Sequence, residues 1–415
     1  MSYANNISHF EQAFKQKSKI SPVDNTAWQQ FKASGFENRR NEAFHYLDLN
    51  FYTFEAFNIV EHRPLVAQDI RFLPPLSHHF VFHNGYFQET IAPLAVAKPL
   101  DFSFQAVDAA SNFFNPLTDT SSLITLNQSL HLGTASITIP GNTTIAHPIY
   151  IHYFTDTQTN KWMTFPKNYI TVEENACAQL IECYWGQGPN SSLLNSMTHI
   201  NIAKNATLEH IVYSESHPES IHLHNGTVFV AEHGVYNITR CGRNEGIERF
   251  DYAVHLQGEY SKTNAQFLDI APHQQILDNH FCIYHNAAHT SSKTLSRSVV
   301  HRTAKRHFTG KIIVGNKAFH TRAALEDKNL LLSPHATANT RPQLEIFTDE
   351  VACKHGATVG YLDEEALFYM RARGIPENQA RAMLIEAFVN PVFELLKNDF
   401  IKSQMKEPLS AAFEI

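Results

Sequence analysis

The sequence lacks any apolar run long enough to span a bilayer, and its opening MSYANNISHFEQAFKQKSK has no apolar segment of the secretory-signal kind. Cysteine is scarce. Cys177, Cys183, Cys241, Cys282 and Cys353 are odd in number and widely scattered, which fits reduced thiols in a cytoplasmic setting better than a disulfide framework. There is no excess of positive charge either: the formal net charge of −7 argues against a nucleic-acid partner, because phosphate binding needs clustered cations. The densest basic group, Arg297, Arg302, Lys305 and Arg306, is expected to be a solvated strand face. A Walker A loop, a GxGxxG between strand and helix, and a GxSxG elbow are all missing, so no nucleotide-binding or nucleophile signature is present.

What is there is globular, with 43% apolar and 18% charged residues over 415 positions. Residues 1–93 read as a mainly helical N-terminal region. Ile7, Phe10 and Phe14 share a helical face, Trp28 and Phe31 precede a helix stop at Gly35, and a further amphipathic piece is expected over Asn41 to Phe57. FVFHNGYF, around Asn84-Gly85, is a hairpin signal. Its flanking histidines, His79 and His83, are expected at the surface.

Residues 94–360 read as one long β body. Short runs such as ASITIP, IYIHYF, NYITVEE and GKIIVG alternate with turn residues, and helical crossovers are missing, which excludes a doubly wound α/β sheet. A sandwich or barrel and a solenoid both remain open. The length without a break favours the solenoid; the lack of an exact repeat counts against it. Residues 361–415 return to helix, with Asp363 as N-cap, Arg371 and Arg373 in the last turn, Gly374 as the stop and Pro376 suited to the first position of the next helix.

Histidine is abundant, at 25 residues, which directs attention to metal chemistry. In NHFCIYHNAAH, His280 and Cys282 share one strand face while His285 lies on the other. Cys177 and Cys183 sit in strand-like sequence and read as buried small hydrophobes. The doublets Glu173-Glu174 and Glu364-Glu365 point apart on a strand or serve a helix dipole, which leaves no acid/base pair. The better candidate is Cys353 with His355, two apart on a strand, before Gly356 and directly ahead of the returning helices. Thiol and imidazole are ligands for iron and other soft or borderline metals, yet two ligands do not complete a site. From the residues alone, metal ligation and strand-edge packing both stand.

The segment RPQLEIFTDEVACKHGATVGYLDEEALFYMRARGI, Arg341 to Ile375, resembles the C-terminal signature of the SufB/SufD family of iron–sulfur cluster assembly proteins. HFTGKIIVGNKAF, LLLSPHATANTRP, IPGNTTIAHPIYIHYF, FVFHNGYF and GFENRRNEAFHYLDL extend the resemblance upstream. Glycine at 356 stands where SufB-type chains carry glutamate, and the stretch Ala336 to Pro342 lacks their cysteine, so the resemblance is to SufD-type members.

It implies a right-handed parallel β-helix flanked by helical N- and C-terminal regions. It also implies a non-catalytic scaffold subunit that pairs with a SufB-type protein through the β-helix. A SufC-type ABC ATPase would be held through the C-terminal helices. A nascent iron–sulfur cluster or iron would form at the SufB interface with His355 and Cys353 as ligands, a reduced flavin can accompany such complexes, and a homodimer is an alternative when the chain is alone. The competing classes are a β-helix polysaccharide-active enzyme, for which no carboxylate constellation is visible, and a stand-alone His-rich metal enzyme.

Overall fold

In the computed structural model the described residues are 7–17, 19–37, 39–49, 57–59, 77–91, 101–105 and 121–413. The expected boundary between residues 93 and 94 lies outside them. The body is a parallel β-helix. From Cys177 onward, ten- and eleven-residue strands alternate between two sheets, and each strand pairs in parallel with the strand one coil further on. The coils are uneven: Val235 pairs with Lys262, 27 residues on, whereas Ser291 pairs with Arg322, 31 residues on. That variation is why no exact repeat shows in the sequence.

Seven successive coils turn through a residue with positive φ. In the first three this residue is Asn142, Asn175 or Asn205, and in the next four it is His233, Tyr260, His289 or His320. Asparagine tolerates that conformation because its short polar side chain bonds locally. Here the amides also bond to one another, Asn205 Nδ2 to Asn175 Oδ1 at 3.0 Å and Asn175 Nδ2 to Asn142 Oδ1 at 2.9 Å. The rings continue the row by stacking, with centroids 5.0, 4.7 and 4.8 Å apart from His233 to His320. Those separations match the spacing of hydrogen-bonded strands.

The two ends of the solenoid differ. At the start, one sheet ends in Tyr86–Ile91, antiparallel to His78–His83, and the other in Asp101–Gln105, antiparallel to Thr134–Ile139. The expected hairpin forms, with both Asn84 and Gly85 at positive φ. At the finish, the parallel strands Thr337–Ile346 and Ala352–Tyr361 each pair on one side only among the described residues.

Helices cover the outer faces. α1 (Ser8–Gln16) and α2 (Pro22–Ser34, with a Ser21/Asp24 capping box) bury Phe10, Trp28 and Phe31 together with α3 (Ser122–Leu130) over Leu193, Ile221 and Leu223. Of the helical piece expected over Asn41 to Phe57, a 3-10 turn forms at Glu42–Phe44; residues 50–56 lie outside the described residues. α4 (Glu364–Ala372) starts on Asp363, whose Oδ1 accepts from the amides of Glu365 and Ala366. Pro376 is the N-cap of α5 (Glu377–Phe393) rather than its first residue. α5 and α6 (Asp399–Phe413) bury Ile385, Val389, Ile401 and Met405 against Ile211, Leu268 and Val299 of one sheet.

Two surface expectations are corrected. Arg306 is fully buried and Arg297 is 5% exposed, because their strands place them among carboxylates of neighbouring coils instead of in water. His79 and His83 are buried as well: their strand joins the solenoid beside Ile149–Asp156, and His79 Nδ1 comes within 3.1 Å of His152 Nε2.

Burial also lowers several histidine pKa values, to about 3 for His152 and His222 and about 4 for His285. An unfolded histidine titrates near ~6.5, so below that pH the unfolded chain takes up protons that the folded chain refuses. This contribution is fully present above ~6.5 and is lost as pH falls towards about 4. Thermal unfolding followed by circular dichroism should give a melting temperature lower at pH 5 than at pH 7.5, by on the order of 5–10 °C. An equal melting temperature at both would refute it.

Candidate functional site

The last coil carries the candidate residues. Ala352–Tyr361 is in parallel register with Arg322–Leu331, which sets Cys353 beside Ala323 and His355 beside Leu325. Ala323 and Leu325 belong to the interior core, and register neighbours in a sheet share a face, so thiol and imidazole stand on the lumen side of the final turn. Cys353 is half-buried and packs against that core with Leu344 and Val351; His355 is exposed. Burial pushes the Cys353 thiol above its ordinary range, while a backbone hydrogen bond at Ala323 works weakly the other way. Among the described residues no further coil covers the pair. A cleft of about 640 Å³, lined by Lys293, Glu326, Lys354, Pro391 and Leu395, reaches His355 from the flank.

Among the described residues no group of three or more His, Cys, Asp or Glu side chains is placed to hold a metal ion. Cys353 and His355 therefore do not make a closed site by themselves. The second motif does not gather either. His280 and Cys282 do share the outer face, in a cleft of about 320 Å³ under Asn41 and Glu42, while His285 is buried between Thr290 and Ser292. His280 is paired with Asp278 at 3.2 Å, and burial raises the Cys282 thiol to about 11. Cys183 is buried as expected and Cys177 is half-buried. Glu173 and Glu174 are both exposed, and Glu364 and Glu365 occupy the first turn of α4.

Sequence reasoning missed the exposed apolar side chains at the ends of the terminal strands and on α4. Phe347 is 63% exposed and Tyr361 64%, at the ends of the two terminal strands, and α4 presents Phe368 at 72% and Tyr369 at 60%. α4 buries only Leu367 of its residues. The signal was present in ALFYM, where four large apolar residues in succession are more than one helix face can bury. The N-terminal turn reaches this end through Glu42, which pairs with Arg341 at 2.5 Å, and three strands further back Arg249 bonds the carbonyl of Ala43 at 2.8 Å under the ring of Phe44. Among the described residues no helix is long and apolar enough to cross a membrane.

The raised thiol gives a direct test. Alkylation of Cys353 by iodoacetamide, followed by peptide mass spectrometry, should be slow at pH 7.5 relative to a free model cysteine and should accelerate above pH 9, because the thiolate is the reactive form. A rate at neutral pH equal to the model thiol would contradict the burial seen here.

The sequence profile described as SUF system FeS cluster assembly, SufBD core domain, matches residues 154–388. An iron–sulfur cluster assembly SufBD family protein of Synechocystis sp. is 26% identical over 394 residues, 90% of this chain and 86% of that protein. The iron–sulfur cluster assembly protein SufD of Escherichia coli is 30% identical over 239 residues, 58% of this chain and 56% of that protein. The chloroplastic protein ABCI7 of Arabidopsis thaliana is 28% identical over 277 residues, 65% of this chain and 58% of that protein. With the profile running through the coils and into α5, this chain belongs to the SufBD family of the SUF iron–sulfur cluster assembly system.

Proposed function

We propose that this chain is a SufD-type scaffold subunit, without turnover of its own, that works in the cytoplasm with a SufB-type chain and a SufC-type ABC ATPase. The observation that carries the reading is the unfinished last coil. Among the described residues its strands have free edges, its lumen side bears Cys353 and His355, and exposed apolar side chains flank it. A partner strand laid on such an edge satisfies the open backbone groups, and its side chains supply the ligands this chain lacks. Iron and the nascent cluster are then cargo, held between two proteins, with the neutral imidazole of His355 as a ligand from this side. Cys353 would ligate as thiolate only where the bound metal displaces its proton, since burial favours the thiol.

α4, with Phe368 and Tyr369 exposed, offers the ATPase a helix face close to the same edge. Movement of that helix under the ATPase would open or close the interface site. The same edge would pair two copies when the SufB-type partner is absent. A reduced flavin held by the complex rests on the family resemblance alone.

The test is anaerobic co-expression with the SufB- and SufC-type partners, followed by iron and acid-labile sulfide analysis of the purified complex. His355→Ala should leave the complex assembled and lower both iron and sulfide at least about fivefold, the scale on which losing a ligand weakens metal binding. Equal loading in both proteins would make His355 a packing residue only. Independently, Phe368→Asp with Tyr369→Asp should abolish copurification of the ATPase while the SufB-type chain is still recovered, since a charge in a desolvated apolar contact is strongly unfavourable. Retention of the ATPase would place its contact elsewhere.

A further inference from the structure

Charged side chains form a continuous chain of bonds inside the solenoid, and that chain ends on the terminal strand. Arg240 joins Glu248 to Asp269. Ser214 Oγ donates to Glu248 at 2.6 Å, and Asn279 Nδ2 donates to Asp269 at 2.7 Å. Arg306, on the opposite sheet, donates from Nε to Asp269 at 3.1 Å, from Nη2 to Ser296 Oγ at 2.6 Å, and from Nη1 to Asp327 at 2.8 Å and Asn329 Oδ1 at 2.9 Å. Asn329 also accepts from Ser298 Oγ at 2.6 Å. Its own amide donates to Asp327 at 2.9 Å and to the main-chain carbonyl of Thr358 at 3.1 Å.

Thr358 lies three residues beyond His355 on Ala352–Tyr361. Among the described residues that strand pairs on one side only, and every residue from Lys354 to Tyr361 is exposed, so packing does little to fix it. Asn329 is 2% exposed and held by three bonds within the interior, besides the one to Thr358, so its amide does not follow a shifting strand freely. The cross-tie through Arg306 also ties the spacing of the two sheets to this point.

We infer that Asn329, held in place by Arg306 and Asp327, is a positioning residue: it sets the place of the terminal strand and through it the placement of His355 towards the partner. The functional half of this inference rests on the reading of His355 given above; the structural half does not. A ligand shifted by even ~1 Å no longer meets a metal held from the other side.

Hydrogen exchange by mass spectrometry on the full-length isolated chain tests the structural half. In Asn329→Ala, the amides of Ala352–Tyr361 that donate to Arg322–Leu331 should exchange about tenfold faster, the factor expected for one lost bond to a buried partner. Lys262–Ala271 should be unchanged. Ser298→Ala, which removes a bond to Asn329 but none to the terminal strand, should leave both strands at wild-type rates. Unchanged exchange of Ala352–Tyr361 in Asn329→Ala overturns the inference, as does equal acceleration in the middle coils, which would mark a general loss of stability.

In the anaerobic complex, Asn329→Ala should then lower iron and sulfide about threefold or more at unchanged subunit stoichiometry. Faster exchange with full loading, in a complex where His355→Ala does lose its cluster, overturns the positioning role. Full loading in both variants instead refutes the ligand reading of His355, and the exchange data still decide the tie.

Discussion

A coil of a parallel β-helix satisfies its backbone only by lying on another coil. Everything else in this molecule follows from that dependence. The ten-residue strands, the uneven coils and the row of left-handed turns all serve to keep successive layers at one spacing. At the first end the demand is met within the chain by short antiparallel strands. At the last it is not met within the described residues, and Cys353 and His355 sit where the stacking stops.

The interior is not uniformly apolar, although apolar packing alone would hold such layers together. Among the described residues four arginines are buried, Arg240, Arg249, Arg297 and Arg306, and Arg240 and Arg306 face the lumen with carboxylates from several coils around them. Taking such ions out of water costs several kcal/mol each, and their mutual attraction often no more than offsets this. Their contribution is better described as specificity. Arg306 is satisfied by Asp269, Asp327, Asn329 and Ser296 in one arrangement of four strands, so a slipped register would strand a buried charge.

Much of this was legible in the sequence, and the illegible parts have physical causes. Asn84-Gly85, Asp363 and Gly374 act through local backbone preferences, and each does what its neighbours in sequence lead one to expect. The absence of helical crossovers pointed to the right class of fold, and the signature around Cys353 and His355 to the family. Burial of Arg306 and His79 was not legible, because it depends on which coil lies above and what covers it, and pairs such as Arg306 with Asp269 are 37 residues apart. The repeat was hidden because only inward positions are constrained, while turn lengths are free to vary. The pairing of Cys353 with His355 was visible; that they face the lumen and not the solvent side required the register with Ala323 and Leu325.

The difference between the two ends also gives the molecule a direction. A solenoid with matching ends would stack head to tail without limit, as fibres do. Here one end presents parallel strands of ten residues and the other antiparallel strands of five and six, so the two are not complementary. If the last coil alone pairs, as proposed above, like ends meet about a two-fold or near two-fold axis, and such contact is complete once two bodies have met. Under that proposal, closure at a pair rather than a fibre follows from the unlike ends of the described body before any particular residue of the interface is considered.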